Sequence, residues 1–499
     1  MSTFFMGGFK RIISIVVAAV MVVTTSTVVF ANDAETVLET PDLTSYIDTA
    51  MMTDNVTGLS MVVVSGGNTA FLNRGYADIA NRTLMTEDTP VYVGSCTKAF
   101  TALAVLLLEE RGMISTDDSI KDYVSWWNVK YQGEEADVKI WQIMNHCAGI
   151  PNGPTMSAVE YGSDHSLTEK NAHIAEGLEL SCAPGDGYEY CNLDYIILAY
   201  LVEAVSGMYF DDFVESQILQ PIGMTHSGFD LPTAPGHISF FGNQVNYETA
   251  PAKGSEAEGH IVTTASDMSL WLKAQMGLLD IPEDLSNAIR TSHVASESGH
   301  AAKIESNYFN GWYNDGQGVL WHTGLNPNYT AAVYVDPEEE IGVMVVCNCV
   351  SNAPENVAAT CFRILKGNPD YSDQEPSSGY TMDLIASVMC IVFLAAIVLQ
   401  IVLFVTQRKR FEKKGLIGSG ISVKPVIGVI VWIVLFILSW FLQYGLSSLI
   451  GYQSFGYKMY YFWGYWSVIV MLVMLSVIFL LAAVRRIRGL LLRKREFDY

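Results

Sequence analysis

Apolar and polar positions alternate over residues 59–64 and again over 70–76, with Gly66-Gly67-Asn68 between them. A period of two on either side of a glycine turn predicts a β-hairpin. From residue 95 to 110 the chain is almost continuously apolar and is stopped by Gly112. That pattern predicts a helix buried on all sides, not one lying on the surface. Over about 118–274 the spacing is mostly helical, broken at Pro151, Pro154, Pro184-Gly185 and Pro221. Strand patterns return at 319–323, 329–336 and 341–347, with Asp336-Pro337-Glu338 as a turn, and a last helix is expected over about 356–365. Strands at both ends and helices between them predict an α+β domain whose sheet is completed by distant parts of the chain.

Three later stretches, 384–405, 425–442 and 462–484, are apolar over the roughly 20 residues that cross a bilayer. Arg408, Lys409, Arg410, Lys413 and Lys414 follow the first stretch. Arg485, Arg486, Arg488, Arg493, Lys494 and Arg495 follow the third, whereas the connection between the second and third carries only Lys458. The positive-inside rule then puts both basic segments in the cytoplasm and the domain before them outside. The N-terminus agrees: Lys10 and Arg11 precede the apolar run 12–23, and Val29-Phe30-Ala31 has the small-residue spacing of a signal-peptidase site. The expected layout is a signal peptide over 1–31, an extracytoplasmic domain over 32–367 and a linker over 368–383. Three membrane helices follow within 384–484, then a basic cytoplasmic tail over 485–499. An uncleaved N-terminal anchor would leave the domain on the same side. Aromatic residues 457–466 crowd the outer end of the third span and read as an interfacial belt, or as a rim presenting an acylated substrate.

Charge narrows the function. Residues 32–378 hold 48 Asp and Glu against 14 Lys and Arg, a surface that repels nucleic acid and polyanions and excludes a DNA or RNA role. Seven cysteines, Cys96, Cys147, Cys182, Cys191, Cys347, Cys349 and Cys361, fall outside the spans and Cys390 within one. An odd number leaves at least one thiol without an internal partner; most read as small buried apolar residues, and a Cys182–Cys191 bridge is left open. Their spacing does not resemble a metal site.

Gly94-Ser95-Cys96-Thr97-Lys98 opens the apolar helix, so the Ser95 hydroxyl and the Lys98 amine lie one turn apart on one face. The positive helix end disfavours the ammonium, and a lysine kept partly neutral can take the serine proton. Alone, Ser-x-x-Lys is common. Two further segments support it: Tyr190-Cys191-Asn192, whose phenol and amide can relay a proton and align a carbonyl, and His322-Thr323-Gly324 on an expected strand whose edge can receive a substrate backbone.

Together these segments resemble the serine β-lactamase and DD-peptidase family, in particular its class C β-lactamase and DD-carboxypeptidase branch, over nearly all of 55–365. Framework segments 145–151 and 221–224, and Asp336-Pro337, fit as well. The resemblance implies a β-lactamase/transpeptidase-like fold, with an antiparallel sheet flanked by helices and a mostly helical subdomain. It implies an acyl-enzyme on Ser95, proton transfer by Lys98 and Tyr190, alignment by Asn192, and an oxyanion hole from the N–H groups of Ser95 and Leu325. His322, Thr323 and Gly324 would contact substrate; His322 stands where many members carry lysine, and His146 reads as framework.

Over the whole chain the layout resembles membrane-anchored prodrug-activating D-asparagine peptidases of nonribosomal peptide pathways, the colibactin-type maturation peptidases. Tyr131-Gln132-Gly133 and residues 324–329 are similar to that group, which makes Asn326 and Asn328 candidate readers of a substrate amide. The implied function is removal of an N-acyl-D-amino-acid leader from an exported prodrug by a multi-pass protein of the bacterial inner membrane. The expected partners are a peptide or acylated small-molecule substrate, membrane lipid and an exporter; no cofactor or metal is implied. The rivals are a cell-wall carboxypeptidase or weak β-lactamase of the same fold, and an acylated sensor signalling through the spans.

Overall fold

The computed structural model describes residues 34–156, 158–249, 252–294, 307–371, 374–449 and 457–494, so the expected signal peptide lies outside the described residues. The glycine hairpin forms as the alternation requires: Gly58–Ser65 pairs antiparallel with Asn68–Asp78. Its turn residues Gly66 and Gly67 both have positive φ, +53° and +79°, which side chains with a Cβ resist. The first of these strands pairs on its other edge with Ile341–Cys347, joining the two ends of the domain as expected.

An eight-stranded antiparallel sheet results, in the order Tyr308–Phe309, Trp312–Asn314, Leu320–Asn326, Tyr329–Asp336, Ile341–Cys347, Gly58–Ser65, Asn68–Asp78, Thr83–Leu84. Both of its faces are covered. Leu59, Met61 and Val63 point toward the helices Pro41–Thr53 and Ala353–Leu365. Val62 and Val64, one step out of phase, join the core around the helices Thr97–Glu110 and Ala265–Gln275. The helix Thr97–Glu110 is buried at every position from Thr97 to Leu108, because sheet and helical subdomain enclose it; Phe100 stacks on Trp271 with ring centroids 3.7 Å apart. The helical subdomain includes Asn192–Ser206, which Gly207 ends in the left-handed conformation at φ +71° before the chain bends by 76° into Phe210–Ile222.

The mostly helical reading of the middle region missed a second hairpin, Gly236–Phe240 with Asn243–Tyr247. Its turn seats the first apolar helix: the buried Asp383 carboxylate accepts from Ser239 Oγ at 2.7 Å, Gly242 N at 2.7 Å and Phe241 N at 3.1 Å. Tyr247 donates its hydroxyl to Phe462 O at 2.8 Å. The linker is correspondingly short and fastened. Asp54 takes Ser377 N at 2.5 Å on one carboxylate oxygen and Ser351 Oγ and Asn352 N, each at 2.7 Å, on the other. The first apolar helix starts at Ser378, inside the segment expected to be linker.

Among the described residues two helices, Ser378–Lys413 and Trp466–Lys494, are long and apolar enough to cross a membrane. The middle stretch forms a shorter apolar helix, Val423–Ser439, followed by Leu442–Leu449. The last helix packs against both others, with Ser439 Oγ and Ser476 Oγ 2.8 Å apart. Asp383, bonded to the hairpin, and Arg408 are separated along one helix by about 37 Å at 1.5 Å per residue, so the basic residues lie at the end remote from the sheet domain. All eight cysteines are unpaired, including Cys182 and Cys191.

Candidate active site

Ser95 lies in a tight turn, Gly94–Cys96, that precedes the helix Thr97–Glu110 and replaces the helix start expected at Ser95 itself. The reason is close approach of the strand Leu320–Asn326. Gly94 has φ +55°, and a Cβ there would stand 2.4 Å from Leu325 N. A Cβ on Gly324 would stand 1.8 Å from Val93 O and 3.1 Å from Ser95 N. Two glycines, one from each element, therefore let the backbones meet and bring the segment Gly324-Leu325 beside the Ser95 amide.

Lys98 is fully buried and sits where the sequence spacing puts it, one turn past the serine, with Nζ 3.0 Å from Ser95 Oγ. It also donates to Asn192 Oδ1 at 2.8 Å and to Glu258 O at 2.5 Å, which uses all three donors of an ammonium. Burial lowers its pKa from 10.5 to about 8, against the nearby Glu258 carboxylate, whose Oε2 is 3.9 Å away. A lysine in this range is a usable base near neutral pH.

Asn192 opens the helix Asn192–Ser206, and the extended residues before it carry Tyr190 to the opening of the site. The Tyr190 ring centroid is 5.0 Å from Lys98 Nζ, and its hydroxyl lies beside that of Ser95. Burial holds this phenol well above its ordinary pKa, so it is a proton donor. Serine, amine and amide thus form one hydrogen-bonded group with the phenol beside it. It can move a proton from an attacking hydroxyl to a leaving nitrogen without solvent.

His322 lies beside this group on the strand, its ring centroid 6.4 Å from that of Tyr190. It is 2% exposed, its Nδ1 lies 2.5 Å from Thr323 O, and burial, then the Lys98 charge, lower its pKa to about 3. The imidazole is neutral and places no positive charge here. Burial likewise lowers the pKa of His146, whose Nδ1 is 2.6 Å from Asp194 Oδ2; its ring packs 4.4 Å from that of Tyr190 as framework. Along Leu320–Asn326 the strand period leaves Thr323 half-buried and Leu325 exposed, with His322, Gly324 and Asn326 on the buried face.

Asn326 and Asn328, the expected readers of a substrate amide, are both buried, and each donates one amide hydrogen to the backbone: Asn326 Nδ2 to Gly259 O at 3.1 Å, Asn328 Nδ2 to Tyr247 O at 2.7 Å. Asn326 ties the segment Glu256–Gly259, and with it the carbonyl that receives Lys98, to the serine turn. Asn328 ties the strand to the hairpin Gly236–Phe240 with Asn243–Tyr247. Glu258 was missed from the sequence, because its importance lies in a backbone carbonyl that no residue type advertises.

The geometry fixes the expected pH dependence. Lys98 must be neutral to accept the Ser95 proton, so kcat/KM should climb by about tenfold per pH unit up to an apparent pKa near 8 and then level off. The fall at high pH is deferred because the Tyr190 phenol resists ionisation. A pH–rate profile of the full chain in detergent checks this; a limb near the ordinary histidine value would move the base elsewhere.

The beta-lactamase family profile matches residues 43–365. Protein flp of Staphylococcus aureus (strain NCTC 8325 / PS 47) is 26% identical over 328 residues, a match covering 62% of this chain and 64% of that protein. The chain thus matches slightly less than two thirds of that relative's length. The protein named unguisins hydrolase ungD' of Aspergillus campestris (strain IBT 28561) is 25% identical over 338 residues, covering 62% of this chain and 61% of that protein. The octameric penicillin-binding protein homologue from Pyrococcus abyssi shares the fold, with a TM-score of 0.57 at 24% identity over 70% of this chain and 80% of that one.

Proposed function

The chain belongs to the beta-lactamase family of serine hydrolases, and from that premise we propose that it is a membrane-anchored peptidase cleaving an amide next to a D-configured residue outside the cytoplasm. The observation that carries the reading is the 3.0 Å contact between Lys98 Nζ and Ser95 Oγ beside a protonated phenol. Ser95 Oγ bonds to the substrate carbonyl carbon as its proton passes to Lys98. The oxyanion develops beside the N–H groups of Ser95 and Leu325, donors commonly worth about 3 kcal/mol each in the transition state. The C–N bond then breaks as Tyr190 gives its proton to the departing nitrogen, and Lys98 restores the phenol. Water attacks the acyl ester, Lys98 accepting its proton and Ser95 recovering its own.

Removal of an N-acyl-D-asparaginyl leader from an exported prodrug is the finer reading. The membrane helices beside the domain, the basic residues at their far ends and the relative named for hydrolysis of unguisins support it. In this reading the partners are an acylated peptide-like substrate, membrane lipid and an exporter. Purified full-length protein should hydrolyse an N-acyl-D-asparaginyl amide at least about tenfold faster, by kcat/KM, than a D-Ala-D-Ala peptide or a chromogenic cephalosporin, since a neutral His322 leaves a substrate carboxylate without a counter-ion. Turnover of either of the latter with none of the first would assign it to wall or β-lactam chemistry instead. A burst of acylation with no steady turnover would make it a sensor.

A further inference from the structure

The proton donor for the leaving nitrogen fixes where the leaving half of the substrate must lie: against Tyr190. That side of the site is built of aromatic rings. Tyr308 stands 6.1 Å from the Tyr190 ring and His322 6.4 Å, centroid to centroid. Tyr308 is itself edge-on to Tyr313 at 4.8 Å, and Tyr313 lies 5.4 Å from His322. The hydroxyls of Tyr188 and Tyr313 meet at 3.1 Å, so a side chain from the Tyr190 loop and one from the strand Trp312–Asn314 close a bridge beside the site. Tyr188 is 37% exposed, which puts this bridge at the protein surface, and Trp321 backs it by stacking on Tyr313 at 4.5 Å.

The electrostatics of this wall are as informative as its shape. His322 is neutral, burial keeps the phenols of Tyr188 and Tyr308 protonated, and among the described residues Lys98 is the one cation whose charge reaches His322. Lys98 is already committed to Ser95, Asn192 and Glu258. A carboxylate placed here would lose water and gain no fixed positive partner, whereas an aromatic or aliphatic group would gain ring contacts. Between them the two bridged hydroxyls leave one O–H free to meet a neutral carbonyl.

We infer that the Tyr188–Tyr313 bridge, with Tyr308 and His322 behind it, is the leaving-group subsite and selects a neutral, apolar or aromatic amine over an amino acid bearing a free carboxylate. The enzyme therefore cuts inside a longer molecule or releases a capped amine, and does not trim a C-terminal residue. This rests on the amide-hydrolase reading above and adds to it the chemistry of the product amine.

The test compares two substrates that share an N-octanoyl-D-asparaginyl group and leave as phenylalaninamide or as phenylalanine. The amide should be preferred by at least about tenfold in kcat/KM, as expected where a charge has no partner. His322→Lys supplies the missing charge and should shift the ratio toward the carboxylate, and Tyr313→Ala, which opens the wall to water, should shrink it. Equal or reversed preference in the unmodified protein, or a ratio unmoved by both substitutions, overturns the inference. If neither substrate turns over although a fluorophosphonate labels Ser95, the D-asparaginyl reading fails on its own. Protection of Ser95 from that label by the free amines then decides the subsite: stronger protection by phenylalaninamide supports it, and equal protection overturns it.

Discussion

Replacing Ser95 by alanine should lower kcat/KM by at least about 10,000-fold, the scale seen when the nucleophile of a covalent hydrolase is removed. Nothing nearby can take its place. Cys96 is buried on the opposite side of the turn, 3.5 Å from His322 O, and burial pushes its thiol up to about 12, so it supplies no thiolate. Lys98 remains as a base but has no hydroxyl to activate except water. The variant should fold, since Ser95 is only partly buried and its hydroxyl bonds to Lys98, which keeps Asn192 and Glu258 as partners. The measurement is hydrolysis together with fluorophosphonate labelling of intact protein. Undiminished hydrolysis, or labelling at another side chain, would remove the basis for everything said of the mechanism.

Gly324→Ala should cut kcat by about 100-fold or more, although the substituted residue carries no chemistry of its own. The added carbon would stand 1.8 Å from Val93 O and 2.8 Å from Val93 C, backbone atoms that cannot rotate away. Either the strand Leu320–Asn326 or the serine turn must retreat, by about 1 Å or more to reach ordinary contact. The amides of Ser95 and Leu325 would then no longer meet at one oxygen, and a misplacement of that size commonly costs about 100-fold. Overpacking of this kind also costs about 1–3 kcal/mol of stability. Thermal unfolding measured beside kcat separates the two effects: a variant with lowered Tm and intact kcat would mean that the strand does not contribute to the oxyanion hole.

Much of this architecture is legible before folding, and the reason is locality. The hairpin across Gly66-Gly67, the enclosed helix after Ser95, the closing strands and two of the three apolar stretches follow from periodicity and turn residues within single segments. The proximity of Ser95 and Lys98 is equally local, because a turn followed by a helix brings positions three apart onto one face. The hairpin Gly236–Tyr247 was hidden in a region of helical spacing, since its stability comes from Asp383, more than 130 residues later, capping its turn. Asn326 and Asn328 stand in the sequence as candidate readers of a substrate amide, while the backbone oxygens to which they donate, Gly259 O and Tyr247 O, belong to distant segments.

Residue types and their short-range order were enough to bring out Ser95 and Lys98 as candidate nucleophile and base, the sheet of the domain and the apolar helices behind it. Only the packed molecule set the Lys98 pKa, the tyrosine bridge beside His322 and the contact of Gly94 with Leu325. The physical difference is range. Helical and strand periodicity are properties of consecutive residues, whereas desolvation, close backbone approach and the choice of hydrogen-bond partner arise when segments far apart in the chain exclude water from one another.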